Sequence, residues 1–229
     1  MSTDIRSAAF TAGRLDVLRI LIADDHEVVR SGLRLLLEEH PGWQVCGEAA
    51  TGRTAVAMAK ALVPNIAIID LTMPELNGLE AARQIKATVA GVEVLIFTMH
   101  ESEHLMCETL AAGARGYLLK SDAARNAVLA VEALAAHQPF FTSKVSEMLL
   151  EAYLCPKTGE EDAGDPLSPR EREVVQLLAE GNTNKRVASR LAISVQTVES
   201  HRSNIMRKLG ITSLAEVVRY AVRNDLVTP

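Results

Sequence analysis

Five side chains stand where short apolar runs give way to polar sequence: Asp24 and Asp25, Asp70, Thr98, and Lys120. Their types suit one piece of chemistry. Three carboxylates held close repel one another unless a cation sits between them. Oxygen ligands of that kind suit a hard divalent ion, and Mg2+ keeps open positions for waters and phosphate oxygens. Thr98 and Lys120 would then face the remaining oxygens of a phosphoryl group, one as a hydroxyl donor and one as a point charge. Taken singly, each is an ordinary loop residue. Together, at matching ends of four runs, they point to a shared site.

The runs are residues 18–23, 45–49, 66–70, 94–98 and 116–119, short, apolar and mostly β-branched, the pattern of buried strands. Amphipathic stretches lie between them. Residues 28–38 carry apolar side chains at 29, 33, 36 and 37, and a fifth helix is expected over about 123–136. Strands alternating with helices predict an α/β fold, a doubly wound five-stranded parallel sheet covered on both faces. Ligands of such sheets bind beyond the carboxyl ends of the strands, which is where the five polar residues stand.

The chain has 229 residues, of which 48% are apolar, 23% charged and 3% aromatic, a composition that excludes a disordered tail protein and favours cores of Ala, Val, Ile and Leu. That length suits two small domains. The apolar runs are too short to span a membrane, and residues 1–17 lack the apolar stretch of a signal peptide, so a cytoplasmic location is expected. Cys46, Cys107 and Cys155 form no CxxC and suit reduced thiols. The net charge of −5 hides an asymmetry: residues 1–165 carry −9 and residues 166–229 carry +4.

A helical pattern near 143–153 precedes a polar stretch, 155–166, with two Pro and two Gly that cannot bury an apolar face. Four short helices follow. Ser168-Pro-Arg-Glu171 is a capping box with Pro at the first helical position, and Gly181 ends that helix. Thr183 caps a second that runs to about Leu191, Ser194 a third that stops at Gly210, and Ser213-Leu-Ala-Glu216 starts a fourth. Wound at about 100° per residue, the third helix separates into two faces. Val195, Val198, Ile205, Met206 and Leu209 lie on one, and Gln196, Ser200, Ser203, Asn204 and Arg207 on the other, with Glu199 at the margin. These polar types meet phosphates and base edges in a major groove. Lys185, Arg186 and Arg190 on the preceding helix could cross the DNA backbone, as in a helix-turn-helix.

Residues 18–136 resemble the receiver domain of bacterial response regulators, through Asp24-Asp25, Asp70-Leu-Thr-Met-Pro74 with Asn77-Gly78, Thr98, and Gly116-Tyr117-Leu-Leu-Lys120. The resemblance implies that Asp70 is the phosphoacceptor and that Asp24, Asp25, Asp70 and the backbone carbonyl of Thr72 hold Mg2+. It also implies that Thr98 and Lys120 sense the phosphoryl group while Tyr117 reports the state of Thr98. Ser121 replaces the proline that follows this lysine in many receivers. Residues 167–227 resemble the LuxR-type DNA-binding domain, through Leu167–Val174, Gly181–Lys185, Thr197–His201 and Asn204–Leu209, with Arg186 where Glu is common and Glu199 where Lys is common. The implied DNA-binding set is Thr183, Asn184, Lys185, Gln196, Thr197, Glu199, Ser200, His201, Ser203, Asn204, Arg207 and Lys208.

The chain is thus similar to the NarL/FixJ family of response regulators. The expected division is an extension at 1–17, a receiver at 18–136, a linker at 137–166 and the DNA-binding domain at 167–229. The expected partners are promoter DNA, a sensor histidine kinase and a second copy of the chain, with no membrane. Val217, Val218 and Ala221 on the fourth helix are the candidate dimer surface, against the alternative that they pack inside the bundle. By the same resemblance the unphosphorylated receiver covers the recognition helix, and the opposite charges of the two parts favour docking. A receiver regulated without phosphorylation would lack an acidic residue, and none is missing. A phosphatase using an aspartyl nucleophile needs a second Asp two residues after Asp70, where Thr72 stands. His100, His104 and Cys107 have zinc-like spacing but no evident fourth ligand, and Trp43 and Phe97 are read as core.

Overall fold

The computed structural model describes residues 17–154 and 166–227, so Cys155 and most of the polar linker lie outside the described residues. The chain runs β1 (Leu18–Ala23), α1 (Glu27–Glu38), β2 (Trp43–Ala49), α2 (Gly52–Leu62), β3 (Ile66–Ile69), α3 (Gly78–Thr88), β4 (Glu93–Thr98), α4 (Glu103–Ala111), β5 (Gly116–Leu119), a 3-10 turn (Lys120–Asp122), α5 (Ala123–Ala135), β6 (Phe140–Phe141) and α6 (Ser143–Leu154). The strands form one parallel sheet in the order β2-β1-β3-β4-β5-β6. Alternation along each strand splits the core in two. Leu21, Ala67, Ile69, Val94, Ile96 and Tyr117 join α2, α3 and α4 on one face. Ile20, Ile22, Ile68, Leu95, Phe97 and Leu118 join α1 and α5 on the other. Every side chain of β3 and β4 is buried, which is why their sequences read as continuous apolar runs.

The sheet has one strand more than the sequence pattern indicates. Phe140 and Phe141 pair with Gly116 and Tyr117 as a two-residue β6, too short to show any period. The helix expected near 143–153 is α6, and it belongs to this body: Val145 is fully buried in the face that carries α4. Trp43 is only partly buried and stacks on His40 at 4.0 Å, so it sits at the edge of the core and not within it. At Ser121 the chain continues through the 3-10 turn, with no cis peptide among the described residues.

The helical part comprises α7 (Pro169–Ala179), α8 (Asn184–Leu191), α9 (Val195–Leu209) and α10 (Leu214–Arg223) around its own cluster. Its caps are those expected, with both capping boxes formed and Gly210 left-handed (φ 64°) at the end of α9. Val217 and Ala221 are buried in this cluster, 2% and 0% exposed, and Val218 is half-buried. Val217 and Ala221 are therefore committed to the core and not open to a partner, because a ten-residue helix needs most of its apolar stripe for the bundle, while Val218 keeps part of its surface exposed.

Gly78 fixes how the loop after β3 returns to α3. Its N–H donates to Leu71 O at 2.7 Å, and a Cβ there would overlap the Asp70 carbonyl. Gly78→Ala should therefore shift backbone at Asp70 itself and destabilise the α/β part by about 2 kcal/mol or more. A denaturant midpoint unchanged from the parent would contradict that packing.

Candidate phosphorylation site and nucleic-acid interface

The acidic residues converge because β1, β3, β4 and β5 run parallel and end at the same edge. Asp24 (0% exposed) and Asp25 follow β1, Asp70 (3%) follows β3, Thr98 ends β4 and Lys120 follows β5. The Lys120 ammonium lies 2.7 Å from Asp24 Oδ2 and 2.8 Å from Asp70 Oδ2, bridging two buried carboxylates. Burial lifts the Asp70 carboxyl to about 6, while Lys120 pulls it down and Asp24 and Asp25 push it up. Burial works against the Lys120 ammonium, but its hydrogen bonds to Asp24 and Asp70 outweigh that and hold its pKa above the usual lysine value.

Ligand atoms of Asp24, Asp25, His26 and Asp70 lie within 4.8 Å of one another, the group among the described residues that could hold a metal ion. Three carboxylates against one ammonium leave net negative charge, and this oxygen-rich set fits a hard divalent cation. His26 was not expected here. Its backbone N–H donates to Asp24 Oδ1 at 2.9 Å, and its Nδ1 lies 2.7 Å from Asp25 Oδ1. The zinc-like trio does not assemble: His104 and Cys107 are exposed, while His100 is engaged elsewhere. Thr72 Oγ1 and His100 Nε2 share a hydrogen bond of 2.8 Å, the His100 N–H donates to Thr98 Oγ1 at 3.1 Å, and the Tyr117 hydroxyl donates to the His100 carbonyl at 2.9 Å. Tyr117 is buried, which raises its phenol pKa and keeps it a donor.

In the helical part, Gln196, Thr197, Glu199, Ser200, Ser203, Asn204 and Arg207 are all exposed along α9, and Lys185 is exposed on α8. Val198 and Ile205 anchor the opposite side. Thr183 caps α8 through its side chain. His201 is half-buried. Asn184 accepts from Arg202 at 2.9 Å, and Lys208 is paired with Glu171 at 2.6 Å, so the charge of Lys208 is largely committed within the bundle.

The family model for response regulator receiver domains matches residues 20–132, and that for bacterial regulatory proteins of the luxR family matches residues 165–221. The transcriptional regulatory protein LiaR of Bacillus subtilis is 35% identical over 92% of this chain and 100% of its own length. The chain belongs to the LuxR-type response regulators. The oxygen regulatory protein NreC of Staphylococcus epidermidis is 34% identical over 92% of this chain and 99% of its own. Among solved structures, RcsB from Salmonella enterica serovar Typhimurium, bound to the promoter rprA with a phosphomimetic, is 27% identical over 89% of this chain and 97% of that one, with a TM-score of 0.59. This two-component response regulator thus joins a receiver to a LuxR-type DNA-binding domain. Among its described residues no helix is long and apolar enough to cross a membrane.

The receiver does not cover the recognition helix of this response regulator, contrary to the expectation from family resemblance. It packs on α7 instead. Gln176, 1% exposed, donates from Nε2 to Met73 O and accepts at Oε1 from Asn77 N–H, both at 2.8 Å. Glu75 N–H donates to Glu180 and Gln84 to Glu173. Arg172 lies within 4.0 Å of Glu80 and Glu108, and Arg190 lies 3.4 Å from Glu75, so Arg190 faces the receiver and not DNA. The physical reason is complementarity: α7 brings buried groups that satisfy the loop after β3, whereas the α9 face has only solvent-directed polar groups to offer. These contacts were illegible in the sequence because Gln176 sits in an ordinary helical stretch, and nothing local marks its partner.

A carboxyl raised to about 6 binds more protons folded than unfolded, so between its ordinary value and 6 it lowers stability as pH rises. Asp70→Asn should therefore stabilise the metal-free protein at pH 7, by about 1–3 kcal/mol, and the gain should vanish below pH 4. Thermal unfolding across that range is the check, and equal melting temperatures at pH 7 would contradict the burial cost at Asp70.

Proposed function

We propose that Asp70 accepts a phosphoryl group from the phosphohistidine of a sensor kinase and that this controls sequence-specific DNA binding by α9 in the cytoplasm. The observation that carries the proposal is the Lys120 ammonium bridging Asp24 and Asp70 at one edge of the sheet, in a chain whose second part is LuxR-type. Asp70 is mostly ionised at neutral pH, and one of its oxygens attacks phosphorus. The P–N bond breaks, its electron pair stays on the imidazole, and an aspartyl phosphate results. Asp24, Asp25, Asp70 and the Thr72 carbonyl would hold Mg2+, which would supply positive charge against the carboxylates and the phosphoryl oxygens. Lys120 and the Thr98 hydroxyl meet the remaining phosphoryl oxygens, and Tyr117 follows the movement of Thr98. Loss of the phosphoryl group by hydrolysis at the same site resets the protein.

On DNA, the exposed α9 residues Gln196, Thr197, Ser200, Ser203 and Asn204 read base edges, and Glu199 accepts from a cytosine amino group. Lys185 and Arg207 contact phosphates, with Thr183, Asn184, His201 and Lys208 flanking them. One helix-turn-helix covers one short half-site, so two copies reading paired half-sites supply the affinity. We divide the chain into a receiver from 18, carried through α6, and a DNA-binding domain from 167, joined by a short linker.

Asp70→Asn should take up no phosphate from acetyl phosphate and Mg2+, because an amide oxygen is too poor a nucleophile. A phosphate-affinity gel reads this directly, and retained base-labile phosphate would place the site elsewhere. On DNA, Arg207→Ala or Lys185→Ala should each weaken binding to all sequences and flatten the log–log salt slope by about 1. Ser200 and Ser203 substitutions should instead change which sequence is selected from a random pool. A wild-type salt slope near zero would favour a protein partner for this face.

A further inference from the structure

The contact between the two domains falls on the machinery of phosphorylation itself. Gln176 of α7 is buried with its amide engaged at both ends, Nε2 to the Met73 carbonyl and Oε1 to the Asn77 N–H. Those two backbone groups belong to the loop that leaves Asp70, the first of them directly after Thr72. Asn77 also caps α3, its side chain accepting from Glu80 N–H at 2.9 Å, so the clamp and the helix start are one unit. A second contact lies at the other end of the interface. His100 Nδ1 is 3.4 Å from Asp225 Oδ1 in the turn after α10, and the same His100 touches Thr72, Thr98 and the Tyr117 hydroxyl. Between the two, Leu226 and Val227 line a cavity with Asp25, Thr72 and Gln176, directly beside the acidic cluster. The base-reading face of α9 lies free of this interface and exposed. The contact therefore does not act by masking that helix.

We propose that control also runs from the DNA-binding domain to the receiver: Gln176 and the turn around Asp225 hold the loop after β3 and the mouth of the acidic pocket in a form that resists phosphorylation of Asp70. This rests on Asp70 being the phosphoacceptor. A buried amide with both ends bonded is costly to strand, so the loop cannot change shape while Gln176 remains seated. Movement of Thr98 or Thr72 towards a phosphoryl group pulls on His100 and so on Asp225. The two events are thermodynamically linked: if phosphorylation favours separation of the domains, their closure opposes phosphorylation by the same factor.

The test uses the full chain as wild type, Gln176→Ala, Gln176→Glu and Asp225→Asn. Gln176→Glu keeps the acceptor for Asn77 N–H but sets a carboxylate against the Met73 carbonyl. Each is given acetyl phosphate with Mg2+, a donor too small to need a docking surface, and Asp70 phosphorylation is followed on a phosphate-affinity gel. Small-angle scattering and hydrogen exchange over 71–77 report domain separation without reference to phosphate. The Gln176 variants should phosphorylate about fivefold faster or more, with a larger radius of gyration and faster exchange in the loop, and Asp225→Asn should move the same way by less. Separated domains with an unchanged or slower rate would overturn the proposal. So would a Gln176→Glu chain as compact as wild type. If a Gln176 variant fails to fold, Asp225→Asn still decides, since its side chain lies outside the helical core. A wild type that takes up no phosphate would instead defeat the function proposed for Asp70.

Discussion

Lys120 between Asp24 and Asp70 is the interaction on which the arrangement of this receiver depends. Removing two carboxylates and an ammonium from water costs several kcal/mol per ion, and only close, well-directed pairing offsets it. The pairing distances of 2.7 and 2.8 Å are set by strand order, not by local sequence. β5 is separated from β3 by β4, so the lysine stem must reach across the end of β4, and its ammonium lies 5.8 Å from the Phe97 ring. Any slip in strand register would strand a charge. The two buried faces of the sheet, each filled by alternate residues of every strand, make such a slip expensive.

The same site remains under-neutralised, since one ammonium faces three carboxylates. That imbalance suits the edge to a cation, while burial above all, with a smaller push from Asp24 and Asp25, lifts the Asp70 carboxyl to about 6. Stability and reactivity therefore oppose each other here. The fold supplies the constraint, and the acidic edge retains electrostatic strain that binding can relieve.

The interface with the DNA-binding domain is mixed in character. Overall charge, negative on one part and positive on the other, favours docking, and Arg172 and Arg190 meet receiver glutamates accordingly. Yet Arg53 of the receiver faces Glu173 with the signs reversed. Net charge thus steers the approach, while specific seating comes from Gln176 and its two backbone partners. Because those partners lie in the loop that leaves Asp70, the seating contact and the acidic edge share one short stretch of chain.

Periodicity and strand-end chemistry alone determined the α/β fold, the five core strands, the four capped helices, and the convergence of Asp24, Asp25, Asp70, Thr98 and Lys120. Each of these is a local property, written in spacing, in caps, and in the rule that parallel strands end together. Only the tertiary structure decided the rest. β6 is two residues long and exists because β5 offers an open edge for it. Val217 and Ala221 could have faced a partner or the bundle, and the packing of α10 against α7 turned them inward. His100 met Thr72 and Asp225 only when loops distant in sequence were brought together. Gln176 acquired its role from a loop 99 residues away, and helical periodicity carries no information about such a distance. Contacts between elements depend on which surfaces meet, and a sequence pattern specifies each surface without naming its partner.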